Sequence, residues 1–175
     1  MSSIILAILF LLSGFFMKYS DDLFDVNNNL LFASIFGVLC GIASAIATVS
    51  DVGAAYVFIA ILIGNLIALK VDGIHHIITL IVFVIVCVIF GIPDLSLIIL
   101  LICIIAALSD EIGHETISNV TDNAFINLFF EYRFVMKIVI FLLAIFGAFD
   151  VLVFIYFIFF ELAYEIAGIV FEKLN

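Results

Sequence analysis

Apolar residues in this chain form long runs that are separated by short polar segments. Five runs cover residues 4–17, 30–49, 53–69, 77–92 and 95–108, and a sixth, longer run covers residues 134–171. Their continuity predicts helices, and a helix of about 20 apolar residues spans the hydrocarbon core of a bilayer. The pattern therefore predicts an all-α integral membrane protein built as a bundle of short transmembrane helices.

The sixth run can form one span or two. Ile89-Phe90-Gly91-Ile92-Pro93-Asp94 and Ile145-Phe146-Gly147-Ala148-Phe149-Asp150 share the pattern Ile-Phe-Gly-x-x-Asp. In each, the glycine can end one helix and the aspartate can cap the next by accepting hydrogen bonds from free backbone amides. Ser50-Asp51 can play the same part between the second and third runs. Two spans in the sixth run give seven in total, which we favour, and a single span gives six.

Composition changes this picture little. Hydrophobic residues make up 68% of the chain and charged residues 11%, whereas about a quarter of the residues in a soluble protein are charged. Because the spans use nearly all of the 175 residues, we expect a single transmembrane domain over residues 1–175 and no nucleic-acid partner. The three cysteines lie in apolar runs without the spacing of a zinc site or a disulfide framework.

The basic residues distinguish the two topologies, because short loops that contain lysine and arginine stay on the cytoplasmic side. In the seven-span model all five lie on one face: Lys18, Lys70, Arg133, Lys137 and Lys173. This predicts an N-terminus outside and a C-terminus in the cytoplasm, with the multi-pass chain in the plasma membrane of a prokaryote. The six-span model leaves Lys173 outside and buries Asp150 near the bilayer centre. Asn119-Val120-Thr121 fits the glycosylation pattern, but this topology makes it cytoplasmic and we discount it.

Small residues concentrate in the second run, where Gly37-x-x-x-Gly41 is followed by Ala43, Ala45 and Ala47. Small side chains let helix backbones approach closely inside a membrane. We therefore expect this helix to be central in the bundle, and its small-residue face could also form a homo-oligomer.

Most acidic residues and all three histidines gather on the face that holds the basic residues. Asp22, Asp25 and Asn29 are spaced i, i+3 and i+7, while Asp72-x-x-His75-His76 and Glu111-x-x-His114-Glu115 are spaced i, i+3 and i+4. These offsets place side chains on one helix face, a turn apart. The opposite face carries only Asp51, Asp94 and Asp150, which the turns explain as helix caps.

Carboxylates at this spacing repel one another unless a cation, a shared proton or open water relieves the repulsion. In a chain with five basic residues, a divalent ion is the natural counter-charge. Oxygen ligands alone suit magnesium or calcium, whereas added imidazole moves the preference toward manganese, iron or zinc. We favour magnesium or manganese, with zinc and iron as alternatives. Interfacial caps that need no ligand are the alternative interpretation. The predicted metal ligands are Asp22, Asp25, Asp72, His76, Glu111 and Glu115.

One of these groups resembles a known motif. Asp22-x-x-Asp25-x-x-x-Asn29 is similar to the second aspartate motif of the UbiA-type membrane prenyltransferases, with Asn29 in the place of the last acid. The resemblance covers eight residues and implies magnesium-diphosphate binding at the cytoplasmic face, although that family has nine helices in a longer chain. Seven spans with acids and histidines also resemble the membrane hydrolases related to alkaline ceramidases, but their His-x-x-x-His pair is absent.

Together these observations predict a metal-dependent membrane enzyme, a transferase or hydrolase, that acts at the cytoplasmic interface on a lipid with a phosphorylated or diphosphorylated head. His75 and His114 would be the catalytic acid and base groups, and Arg133 and Lys137 would contact phosphate. The alternative is a divalent-cation transporter or channel in which the cytoplasmic acids form a vestibule and Glu161, with Glu165, lines the path. A small structural subunit is a third alternative.

Overall fold

The computed structural model of this chain describes residues 2–117 and 120–174, and all regular secondary structure in these ranges is helical. The predicted all-α fold is therefore confirmed for the described residues; Asn119 lies outside them. Eight helices occur there: α1 (Ser3–Asp25), α2 (Leu30–Ser50), α3 (Val52–Ile67), α4 (Ile74–Phe90), α5 (Leu97–Thr116), α6 (Ala124–Glu131), α7 (Phe134–Ile145) and α8 (Val151–Leu174).

Within the described ranges, four helices are long and apolar enough to cross a membrane: α1, α2, α5 and α8. The apolar helices α3, α4 and α7 are shorter, with 16, 17 and 12 residues. The sixth apolar run of the sequence is broken between Ile145 and Val151, so it forms two helices, α7 and α8. This break is the one that the repeated glycine and aspartate pattern predicted.

The turns confirm most of the predicted capping. Gly91 and Gly147 follow the last residues of α4 and α7 with φ near 78°, a backbone conformation that glycine adopts without steric cost. Asp51 Oδ1 accepts a hydrogen bond from Ala54 N at 2.8 Å, and Asp150 Oδ1 accepts one from Leu152 N at 2.8 Å. Asp94 is different, because α5 begins only at Leu97. The prediction that Asp94 caps this helix is wrong.

The small residues of α2 pack inside the chain. A Cβ at Gly37 would meet Thr79 Oγ1, and one at Gly41 would meet the Thr79 carbonyl oxygen at 2.8 Å, so both glycines allow α4 to approach α2 closely. α2 also packs on α1, and α1 packs on α8. The expectation of a close-packed central helix is thus met, and the Gly37 and Gly41 face is already occupied by α4.

Apart from the short helix α6, the helices alternate in direction, and this gathers the charged segments at one end of the bundle. There the end of α1 meets the start of α4, with Asp21 Oδ1 3.6 Å from His75 Nε2, and Lys70 forms an ion pair with Glu115 at the end of α5. We call this the polar end, and it also contains Arg133. The opposite end, which holds Asp51, Gly91 and Gly147, is called the turn end.

Candidate functional site

A cavity of about 410 Å³ lies among the helices at the polar end. This volume falls in the range of small-molecule binding sites. Helices α1, α2, α3, α4, α5, α7 and α8 contribute to its walls, together with Arg133 before α7. Each of the three predicted groups supplies lining residues. Those from the predicted ligand and catalytic set are Asp25, Asp72, His76, Glu111, His114 and Arg133.

One wall of the cavity brings a carboxylate to two imidazoles. Asp21 Oδ1 lies 3.6 Å from His75 Nε2 and 3.8 Å from His76 Nδ1, and one ligand atom from each residue lies within 4.8 Å of the others. His75 is 1% exposed, and neither of its ring nitrogens has a hydrogen-bond partner among the described residues. Buried polar atoms normally have such a partner, so these three side chains are the best candidates for holding a metal ion.

The local sequence holds the two imidazoles in place. Phe24 packs on His75 with ring centroids 4.5 Å apart, and the His76 ring lies 3.9 Å away. Gly73, the residue that precedes α4, has no side chain, and a Cβ there would overlap the His75 ring. His76 Nε2 is 4.0 Å from Asp72 Oδ1, an exposed carboxylate. Of the predicted group, Asp72 lies just before α4, whereas His75 and His76 lie in its first turn.

A second wall is built around Arg133. Glu111 Oε1 forms an ion pair with Arg133, 3.0 Å from Nε, and the guanidinium carbon lies 5.3 Å from the centre of the Tyr164 ring. Lys18 Nζ approaches the same ring at 5.7 Å. Burial alone would lower the pKa of the Arg133 guanidinium, but Tyr164 and the Glu111 carboxylate more than offset it and raise that pKa. Arg133 therefore stays charged inside the cavity.

Asp110 has a structural role in the same region. Its side chain is 1% exposed, and its two carboxylate oxygens accept hydrogen bonds from Val135 N at 3.0 Å and Met136 N at 2.7 Å. These are amides of the first turn of α7, which have no partner inside that helix. Asp110 therefore caps α7, a different helix from its own, and thereby sets the position of Arg133, the residue before α7.

Several predicted site residues are engaged elsewhere. Asp22 pairs with Lys18 at 2.8 Å and faces a smaller pocket between α1 and α8. Asn29 is not on the α1 stripe, because α1 ends at Asp25 and Asn29 caps α2 by accepting a hydrogen bond from Phe32 N. The motif that resembles the prenyltransferases is therefore divided between two helices. Glu115 is bound to Lys70, which itself lines the cavity.

Lys137 and the intramembrane acids form a separate contact. Lys137 Nζ lies 2.8 Å from Glu161 Oε2 and also donates to the Tyr132 carbonyl oxygen. Glu161 lines the cavity, whereas Lys137 is not among its lining residues. Glu165 is exposed on α8 and is likewise absent from the lining. Of these three predicted residues, the structure brings only Glu161 to the cavity.

Sequence reasoning did not assign several charged or aromatic cavity residues to the site, among them Asp21, Lys18, Lys70 and Tyr164. Asp21 and Asp25 have i, i+4 spacing, so the same rule that selected Asp22 and Asp25 could have selected this pair. Lys18 was used only to assign topology. No feature of the sequence marked Tyr164 as a site residue, because a tyrosine in an apolar helix is common.

Comparisons with known proteins do not narrow the choice of chemistry. No protein-family model, curated protein or solved structure matches this chain. The functional proposal therefore rests on the cavity and its side chains.

Proposed function

We propose that this chain is a divalent-metal-dependent membrane enzyme that acts, at the cytoplasmic interface, on a lipid with a phosphorylated head. The observation that carries the proposal is a gradient of polarity along one cavity. On α4 the lining changes from His76 at the polar end to Leu80 and Phe83, one and two turns deeper. On α8 it changes from Tyr164 to Phe157 over a similar distance. A charged end and an apolar end suit an amphiphile.

The proposed topology puts this charged end in the cytoplasm. In it α1 to α5, α7 and α8 cross the bilayer, and the short helix α6 lies at the interface. The five basic residues are then all cytoplasmic, as short loops that carry lysine and arginine prefer. A lipid could then enter with its head at the polar end and its chain towards the bilayer centre.

The lining supplies groups for both parts of a phosphorylated head. Imidazole and carboxylate side chains on the α1 and α4 wall would hold the metal ion, which polarises a phosphoryl oxygen. Arg133, Lys18 and Lys70 would contact the phosphate, in exchange for part of their present pairing with acids. His114, an exposed lining residue of α5, would take the proton from the attacking hydroxyl group or water.

A divalent-cation transporter is the second candidate, and the excess of acids in the cavity favours it. Six lining carboxylates face three lining cations, Lys18, Lys70 and Arg133; the acids are Asp21, Asp25, Asp72, Asp110, Glu111 and Glu161. Against transport, Glu161 is already paired with Lys137, and Asp110 is occupied by the first turn of α7. The two acids that reach deepest are thus unavailable to a passing ion.

A reconstituted system tests both candidates together. The protein would be placed in phosphatidylcholine vesicles that contain phosphatidic acid or a prenyl diphosphate, with manganese, zinc or iron(II) supplied. We expect metal-dependent release of phosphate or diphosphate that is lost in Arg133→Gln and retained in Lys173→Gln, an exposed residue outside the cavity. Arg133→Lys, which keeps the charge, shows whether a loss reflects misfolding. Uptake of the metal ion into the vesicles without release of phosphate or diphosphate would favour transport. The absence of both activities would reject both candidate functions.

A further inference from the structure

We infer that Asp21, His75 and His76 form a three-ligand centre for a transition metal ion of the zinc or iron(II) class, with its open coordination positions facing the cavity. This extends the sequence prediction in three ways, because Asp21 is a new ligand, His75 is a ligand instead of an acid or base, and magnesium is disfavoured. As an account of the enzyme's metal, the inference rests on the proposed function. The binding of the metal can nevertheless be measured without any activity.

The distances fit ligands of one ion better than they fit hydrogen bonds. Asp21 Oδ1 lies 3.6 Å and 3.8 Å from the two imidazole nitrogens, beyond the usual hydrogen-bond range. Zinc lies about 2.0–2.2 Å from nitrogen and oxygen ligands, so two ligands of one tetrahedral ion are about 3.4 Å apart. The two oxygen–nitrogen separations are thus close to those around such an ion, and one ligand atom from each residue lies within 4.8 Å of the others.

The buried state of His75 is a second, independent observation. Both of its nitrogens and Asp21 Oδ1 are buried and lack a hydrogen-bond partner in the described part of the chain. Leaving a buried polar group without a partner costs about 1–3 kcal/mol. An ion at this point would take one nitrogen of His75 and the Asp21 oxygen together, and so would remove much of this cost.

The surroundings of His76 resemble the outer shell of a metal site. Its Nδ1 faces Asp21, and its Nε2 lies 4.0 Å from Asp72 Oδ1 on the other side of the ring. A histidine that binds metal through one nitrogen commonly directs the other to a carboxylate, which fixes the ring. Asp72 would therefore support the site from outside, without binding the ion itself.

The ligand set determines the class of metal. Two imidazoles and one carboxylate suit zinc, iron(II) or manganese, whereas magnesium and calcium prefer oxygen ligands. Three protein ligands leave positions for water or substrate, as in catalytic metal sites. Asp21 and His76 both line the cavity, so these open positions can be reached by a molecule bound there.

Metal analysis of the purified protein tests this inference. The chain would be prepared without a polyhistidine tag, stripped with a chelator, and reloaded separately with zinc, with iron(II) under anaerobic conditions, and with magnesium. We expect about one zinc or iron ion per chain and no retained magnesium. Cobalt(II) substitution should give the visible absorption of a low-coordinate site.

Matched variants assign the ligands. Asp21→Asn and His76→Gln should weaken zinc binding more than tenfold, because loss of even an outer-shell partner costs about 10–100-fold. His114→Gln, which changes the other histidine that lines the cavity, should leave zinc binding unchanged. His75 is fully buried, so its substitution is more disruptive to folding. The partly exposed His76 is therefore the better ligand to substitute.

The outcomes separate this inference from the proposed function. Equal zinc retention in wild type, Asp21→Asn and His76→Gln, or preferential retention of magnesium, would overturn the metal centre. Phosphate release that survives in His76→Gln with magnesium would overturn the centre as the enzyme's metal site, while leaving the enzyme proposal intact. Tight zinc or iron binding without any release would instead support the centre and reject the enzyme.

Discussion

Asp110 is a single side chain on which the start of α7 depends. Its carboxylate accepts hydrogen bonds from the amides of Val135 and Met136; Asp110 and Met136 are buried, and the bond from Val135 is partly buried. Asp110→Ala leaves both amides without partners, which should cost about 1–3 kcal/mol. For a chain of this length, 1 kcal/mol corresponds to about 2–4 °C in the unfolding midpoint. Thermal unfolding in detergent should show a fall of several degrees.

Two further variants make this prediction specific. Asp110→Asn keeps one acceptor oxygen, so its midpoint should lie between those of wild type and Asp110→Ala. Asp94→Ala removes an exposed acid at the turn end and should change stability by no more than about 0.5 kcal/mol. If Asp110→Ala were as stable as Asp94→Ala, the two amides would have another source of stabilisation.

The same residues show why the site was only partly predictable. Successive residues of a helix point about 100° apart, so the rotation of α1 decides whether Asp21 or Asp22 enters the cavity. In an amphipathic helix the polar stripe reveals that rotation. In α1 both the exposed and the core-facing sides are apolar, so no polar stripe reveals how this helix is rotated. The partner of Asp110 was hidden for another reason, since it lies 25 residues away.

At the scale of the helices, the contact between α1 and α8 depends on one glycine. A Cβ at Gly14 would collide with the backbone carbonyl oxygen of Phe160, which cannot move aside as a flexible side chain would. Gly14→Ala should gain about 1 kcal/mol in helix propensity and lose more through overpacking and separation of the helices. We expect a net loss of stability, measured as a lower unfolding midpoint in detergent.

Gly168 in α8 provides the matched comparison. A Cβ there would lie 3.2 Å from Lys18 Cε, the far part of a flexible side chain that can shift. Gly168→Ala should therefore keep its gain in propensity and leave the midpoint unchanged or higher. A Gly14→Ala variant as stable as Gly168→Ala would contradict the close approach of α1 to α8.

Helices themselves were the most predictable part of the fold, because their apolar runs are long and their turns carry glycine and aspartate. The division of the last run at Gly147 is the clearest case. The prediction that helices continue past their apolar runs held for α5, which extends to Thr116 and so includes Glu111, His114 and Glu115, but it failed at Asn29. α1 ends at Asp25, before Asn29, because the backbone there turns through Asn28 with φ near 50° and Asn29 then caps α2.

On the scale of the whole molecule, alternating helix directions bring distant polar groups together without any long loop. The ends of α1, α3, α5 and α8 and the starts of α2, α4 and α7 all meet at the polar end. The sequence predicted that these groups share a face. That they line one cavity follows from the packing of α2 against α4 and of α3 against α5, which no local pattern encodes.

The seven-span topology can be tested with single cysteines and a membrane-impermeant maleimide. The native cysteines lie within α2, α4 and α5, so the wild-type chain should remain unlabelled in intact cells. Asp94→Cys lies at the turn end and should be labelled. Asp122→Cys and Glu172→Cys lie at the polar end and should be labelled only after lysis.

Glu172→Cys decides between the two topologies. The six-span model carries the end of the chain outside, where Glu172→Cys would be labelled in intact cells while Asp122→Cys stays protected. In the structure both positions lie at the polar end, since the Phe171 ring lies 5.5 Å from the Tyr19 ring in the last two turns of α1 and Lys70 contacts Glu115 at the end of α5. The two cysteines must therefore behave alike. Labelling of both in intact cells would invert the topology and place the cavity outside.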